Sequence, residues 1–177
     1  KTVGYILPGE TKYFLALAKD FSYVPADSRL IIENISWRRI NQHKLPDWDD
    51  YYRKHLMISS ADIKFIAAKD SLLSGKLGLN QLSFNAVNQS VYNYWEVGFT
   101  ILLYSADQLA GVNHYVLTDF MSGQTRRVEL SWPGNLNQVG RVEIVPEINI
   151  MNDNIYIKYE GGVGQPSGTD DKEKFEN

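Results

Sequence analysis

The sequence predicts an all-β fold: an antiparallel β-sandwich, preceded by the C-terminal part of a second, similar β domain. Three observations carry this expectation. Apolar residues recur with a period of two along most of the chain, the spacing of strands that bury one face. Clusters of Gly, Pro, Asn, Asp and Ser interrupt that period about every ten residues, as sandwich turns do. Finally, the turn Leu7-Pro8-Gly9-Glu10-Thr11-Lys12 reappears as Met121-Ser122-Gly123-Gln124-Thr125-Arg126. Each copy leads on to a strand-like run opening on arginine, Arg29-Leu30-Ile31-Ile32 and Arg141-Val142-Glu143-Ile144. The second copy has a long β-rich stretch ahead of its turn and the first has almost none, so the chain is expected to begin partway through a repeat.

The expected organisation is a partial repeat over 1–40, a linker over 41–57, a complete sandwich over 58–159 and a flexible tail over 160–177. Gly9 centres the turn of the partial repeat. The linker is crowded with His43, Pro46, Asp47, Trp48, Asp49, Asp50, Tyr51, Tyr52, Arg53 and Lys54 and has no clear period. Asp47 suits the N-cap of a short helical turn through Tyr52. Segments 63–68 and 73–87 read as strands. In the second, the apolar phase moves from Leu77 and Leu79 to Leu82, Phe84 and Ala86, which predicts a β-bulge near Asn80-Gln81. Asn88-Gln89-Ser90 turns into the strand with the clearest alternation, where Trp95, Val97, Phe99, Ile101 and Leu103 are expected on one buried face.

A turn at 104–108 leads to a returning strand at 109–118. Gly123 then supplies a positive φ in the next turn. Arg126, Val128, Leu130 and Trp132 alternate with Thr125, Arg127, Glu129 and Ser131 in the following strand. Val142, Ile144, Ile148 and Ile150 line a last one, which Pro146 assigns to a sheet edge or a bulge because it has no N–H to donate. The total is about six or seven short strands with little amphipathic helix, and antiparallel hairpins suit their one polar face. The tail is rich in Gly, Asp, Glu and Lys and buries too little to offset its ordering entropy.

Composition narrows the function classes. A content of 44% hydrophobic and 12% aromatic residues fills a core and excludes wholesale disorder. A net charge of −3 supplies no broad positive field, so nucleic acid is not an expected partner. With Cys 0 in the sequence, disulfides, thiolate zinc sites and thiol nucleophiles are excluded together. No apolar window is long enough to span a bilayer. The chain starts at Lys1 without a methionine, so residues are expected to have been removed before it, with room among them for a signal or an anchor.

Three segments resemble the small bacterial FxLYD-type domains. They are Asn85-Ala86-Val87-Asn88-Gln89-Ser90, then Trp95-Glu96-Val97-Gly98-Phe99-Thr100-Ile101-Leu102-Leu103-Tyr104, then Phe120-Met121-Ser122-Gly123-Gln124-Thr125. In that pattern an Asn-rich turn precedes a strand ending Phe-x-Leu-Tyr-Asp, and a Gly-centred turn follows. This chain departs from it in spacing and by Ser105 in place of Asp. The resemblance covers roughly 63–150. It implies an Ig-like sandwich from an exported or membrane-anchored protein, and it carries no catalytic residues.

Candidate chemistry is sparse. His43 and His55 flank Asp47, Asp49 and Asp50, but these aspartates lack the glycine and closing glutamate of an EF-hand loop, so no metal is expected. His114 reads as a surface or half-buried strand residue. There is no Gly-x-Ser-x-Gly elbow, and Gly161-Gly162-Val163-Gly164 lacks the strand–helix setting of a phosphate loop, so neither an enzyme nor a cofactor is expected. Carboxylates are plentiful, but abundance does not place two at a glycosidase separation. The aromatics Trp48, Tyr51 and Tyr52 suit a partner surface or sugar stacking, against the simpler expectation that Trp48 packs the linker onto the sandwich. Tyr92 and Tyr94 would flank the Trp95 strand. Trp95, Phe99, Leu103 and Trp132 are the expected core, with Trp37 closing another apolar strand. Arg38-Arg39 and Arg126-Arg127 read as exposed charge pairs.

The expectation is therefore a non-catalytic, extracytoplasmic module for spacing, adhesion or assembly at a bacterial surface. It would act with a protein partner or by self-assembly, and reach a membrane only through a segment absent from this chain. The alternative is a carbohydrate-binding module using the linker aromatics. An incomplete first repeat would be completed by preceding residues or by another chain.

Overall fold

The computed structural model describes residues 6, 11–13, 29, 31, 34, 36, 47–70, 77–133, 136, 138–149 and 152–158. The repeat turn at Gly9, Trp37, Arg38-Arg39, His43 and the tail over 160–177 lie outside the described residues. The described part is mostly β. One helix, α1 (Trp48–His55), precedes strands β1 (Ile58–Ile66), β2 (Leu79–Asn88), β3 (Tyr94–Ser105), β4 (Gln108–Phe120), β5 (Thr125–Pro133) and β6 (Arg141–Glu147). They form two three-stranded antiparallel sheets, in the orders β1-β2-β5 and β4-β3-β6. The sheets pack face to face as a sandwich. Connections β2→β3, β4→β5 and β5→β6 each cross from one sheet to the other.

Alternation decides what faces inward. On β2 the even positions Asn80, Leu82, Phe84, Ala86 and Asn88 are all buried. Across from them Val97, Phe99, Ile101 and Leu103 of β3 are fully buried, with the Phe84 and Phe99 rings tilted against each other at 5.7 Å between centroids. Val128 and Trp132 of β5 complete this layer, and Leu130 packs half-buried beside them. In β6, Pro146 lies on the outer strand of its sheet, opposite Phe99. The hairpin β3–β4 turns through Ala106 and Asp107, both at positive φ (44° and 65°), which is the geometry that matches the twist of tight hairpins. Gly123 turns β4 into β5 with φ +73°, a conformation that costs glycine little.

Two sequence expectations need correction. Register shifts lie in β1 and, at Ala110, in β4 rather than at Asn80-Gln81 of β2. Pairing of β2 with β5 runs without a shift from Leu79 to Val87, whereas β1 shifts against β2 between Ala61 and Lys64. The apparent phase change had another cause. Leu77 precedes the strand and is exposed, and a polar residue, Asn80, takes the first inward position. Asn80 tolerates this place because its Oδ1 accepts from the Ala68 N–H at 3.0 Å and its Nδ2 donates to the Trp132 carbonyl at 3.1 Å.

The second correction is Trp95, which is 52% exposed. The inward place belongs to Tyr94, fully buried and paired with Phe120, and the burial alternation then breaks across Trp95 and Glu96. Between the pairs that flank this break stands Asp119, whose φ of +52° interrupts the regular pleat of β4. Two successive strand residues cannot both point into one core, and Tyr94 has the contacts there.

At one pole of the sandwich the crossing connections meet on Asn88. Its backbone N–H donates to Gln124 O at 2.9 Å, and its carbonyl accepts from Gly123 N at 2.8 Å. Its side-chain Nδ2 donates to Tyr92 O at 3.0 Å and Phe120 O at 3.2 Å, while Oδ1 accepts from the Ser90 N–H at 3.0 Å and its hydroxyl at 2.7 Å. Ser122 adds two more ties, from its N–H to Asn93 Oδ1 (2.8 Å) and from its hydroxyl to Ser90 O (2.6 Å). One fully buried asparagine therefore holds the β2→β3 turn and the end of β4 through its side chain and the β4→β5 turn through its backbone. Replacing Asn88 with Ala is expected to lower the unfolding free energy by about 2–4 kcal/mol, because the Phe120 and Tyr92 carbonyls and the Ser90 N–H and hydroxyl each lose a bond at a largely buried site. Urea titration of both proteins measures the difference, and a loss within error of zero would remove Asn88 from this role.

Candidate functional site

The aromatic residues singled out in the sequence lie beside that pole, on α1. Helix formation starts at Asp47, whose Oδ1 accepts from the Asp50 N–H at 2.9 Å. Asp49 and Asp50 occupy the first turn and Arg53, Lys54 and His55 the last, an arrangement that complements the helix dipole. Lys54 Nζ meets Asp50 Oδ2 at 2.5 Å, and this bond holds the Lys54 ammonium above its ordinary pKa. Positions 48, 51, 52 and 55 share one helical face.

That face stacks inward. The Trp48 ring lies against Tyr51 at 5.8 Å and 18°, Tyr51 against His55 at 3.8 Å and 11°, and His55 against Tyr92 of the β2→β3 connection at 4.1 Å and 18°. Tyr156 closes the column from the side, edge-on to His55 at 5.9 Å and tilted against Tyr92 and Tyr94. Its hydroxyl lies 3.4 Å from that of Tyr51, and its backbone bridges to Tyr94. Offset stacks of this kind add about 0.5–1.5 kcal/mol per pair beyond the area they bury.

The C-terminal carbonyls of α1 find partners in the sandwich itself. Lys54 O accepts from Val91 N at 3.0 Å, and His55 O accepts from the Tyr94 hydroxyl. Gln89 N reaches Met57 O at 2.8 Å just beyond the helix. An eight-residue helix is marginal alone, and here its orphan acceptors and its aromatic face are satisfied by the same connection.

Burial sets the electrostatics. It pushes the Tyr94 and Tyr156 hydroxyls above the ordinary tyrosine range, Tyr156 further assisted by its Tyr51 neighbour. His55 is shifted the other way. Desolvation lowers its pKa and Lys54 adds to this, while the Tyr51 carbonyl, 2.9 Å from Nδ1, and Asp50 oppose it. A carbonyl only accepts, so Nδ1 carries the proton and donates to it.

The structure thus separates the three linker aromatics. Tyr51 is inside the stack, Trp48 is half-buried at its outer end, and Tyr52 is 48% exposed, 6.4 Å from Trp48 and tilted 49° to it. Of the other predicted residues, Phe99 and Leu103 lie deep in the sandwich, Trp132 near its surface, and Trp95 outside it. His55, Tyr92 and Tyr156 complete the cluster. Sequence spacing places His55 on the Trp48 face but cannot bring in residues from 92 and 156. Among the described residues no group of His, Asp and Glu could hold a metal ion, and no buried side-chain nitrogen or oxygen lacks a hydrogen-bond partner. No protein-family model matches the chain, and no curated protein matches its sequence.

The folded state favours neutral His55, so its stabilising contribution is complete above the unfolded pKa of about 6.5 and is lost as pH falls through that value toward the lower folded one. The melting temperature is therefore expected to drop more between pH 7.5 and 5 (about the histidine titration range) in the wild-type chain than in His55→Phe. Parallel curves from calorimetry would contradict this.

Proposed function

We propose that this chain is a non-catalytic, Ig-like β-sandwich module of an exported or membrane-anchored bacterial protein, serving spacing, adhesion or assembly outside the cytoplasm. The use of its buried polar groups supports this most directly. Asn80, Asn88 and Ser90 spend their hydrogen-bonding capacity on backbone connections, and Thr100 spends its own on the neighbouring strand. Such groups lock a scaffold in register and leave little to receive a reacting substrate.

Two packed three-stranded antiparallel sheets, with three connections crossing between them, support the sandwich part of this reading. The Asn-rich turn and the Gly-centred turn that suggested the FxLYD-type resemblance meet at Asn88. α1, stacked on the pole, acts as a rigid joint between the sandwich and whatever precedes it. The exposed Tyr52 beside Trp48 favours one second reading, in which this edge of the joint stacks on a sugar ring.

An antibody raised against the chain is expected to label intact bacteria that express the parent protein. Labelling that needs permeabilised cells would overturn the extracytoplasmic assignment. On a glycan array the scaffold reading expects no specific binding, whereas a signal abolished by Trp48→Ala would establish the carbohydrate reading instead.

A further inference from the structure

In a sandwich of two sheets each outer face is open to solvent. Val97, Phe99, Ile101 and Leu103 of β3 point into the core, so Thr100 and Leu102 between them point outward. Both are nevertheless buried, at 2% and 3%. Thr100 is enclosed by its own sheet, since its hydroxyl donates to Glu147 at 3.2 Å and lies 3.4 Å from His114 Nδ1. Leu102 has no such enclosure. Its partners across the sheet are Val112, which is 37% exposed, and Glu143.

Tyr13 lies beside it. The Tyr13 side chain shares a hydrogen bond with that of Tyr104 and stands close to Glu143 and Arg141. These three residues border Leu102 on the outer face. Glu143 is paired opposite it, and Tyr104, two residues further along β3, is paired with Arg141. The Arg141 guanidinium sits 3.7 Å over the Tyr104 ring, and its Nη1 donates to Glu143 at 3.1 Å. A polar rim thus receives the Tyr13 hydroxyl at the margin of an apolar patch, and Tyr13 itself is half-buried.

We infer that the outer face of the β4-β3-β6 sheet is the docking surface of the chain's own N-terminal segment, with Tyr13 as anchor and Tyr13-Phe14-Leu15-Ala16-Leu17 as occupant. Attachment at Tyr13 selects this segment over a partner chain. So does its alternation. In an extended run Tyr13, Leu15 and Leu17 share one face at intervals of about 6–7 Å. The sheet offers them the apolar stripe of Leu102, Val112 and Val116, whose valines are 37% and 43% exposed. Chain direction agrees with this. Tyr104 lies at the end of β3, whereas α1 packs where β3 begins, so between Tyr13 and Asp47 the chain has to pass from one end of the sandwich to the other. Docking gives this part of the chain a partner in cis, and it does not rest on the scaffold reading.

Paramagnetic broadening in the whole chain tests the docking, and the absence of cysteine keeps each labelling site single. A nitroxide on Val112→Cys is expected to erase the amide signals of 15–17. The same label on Ser83→Cys, on the outer face of the other sheet, is expected to leave them intact. Adding Tyr13→Ala to the chain labelled at position 112 is expected to bring them back, while unchanged β2 and β5 signals show that the sandwich is still folded. Signals of 15–17 that survive the label at position 112 overturn the inference. A loss that persists with Tyr13→Ala overturns the anchor. A loss passed from labelled chains to unlabelled, isotope-enriched ones in a mixture overturns it as well, because the occupant would then be a second copy.

Discussion

The structure depends on one buried amide. Asn88 lies where three chain segments must change direction within the same small volume, and each turn leaves backbone groups that no ladder can satisfy. An apolar residue would fill the space but would take the buried side-chain donor from the Phe120 carbonyl and leave the Tyr92 carbonyl only the longer bond from the Ser90 hydroxyl. A charged one would bring its own desolvation penalty. The asparagine amide presents two donors and an acceptor at a fixed angle and serves the β2→β3 connection and the end of β4, while the Asn88 backbone takes the β4→β5 turn. Because the ties run between sheets, they also set how the two halves of the sandwich sit on each other.

The aromatic pole follows from this arrangement. Ser90 and Tyr92 are held by Asn88, so the loop that carries Tyr92 presents its ring in one orientation. His55 slots between that ring and Tyr51, and the final carbonyls of α1 find Val91 N and the Tyr94 hydroxyl waiting. The helix is thereby ordered by tertiary contacts rather than by its own propensity, as short helices generally are. A site built this way is stiff.

Much of the fold was legible in the sequence. A period of two is a direct consequence of strand geometry, so β3, β4 and β5 could be read from Val97 to Leu103, from the return strand and from Arg126 to Trp132. Turn chemistry at Gly123 and the cap at Asp47 were equally local. The errors share a cause. Asn80 and Trp95 were placed by the phase of the apolar alternation, yet Asn80 enters the core because two backbone groups await it there, and Trp95 is turned out because Tyr94 beside it has partners inside. The candidate site was half visible, since α1 places Trp48, Tyr51 and His55 on one face by spacing alone.

The sequence by itself determined an all-β chain with its strands, its principal turns and a capped helix, because these follow from periodicity and from the conformational limits of single residues. Only the tertiary structure decided which polar residues are buried, which tryptophan is outside, and that Tyr92 and Tyr156 complete the stack on α1. Those outcomes depend on hydrogen-bond partners and ring faces brought from distant segments. Such proximity is a property of the packed sheets, and no local pattern records it.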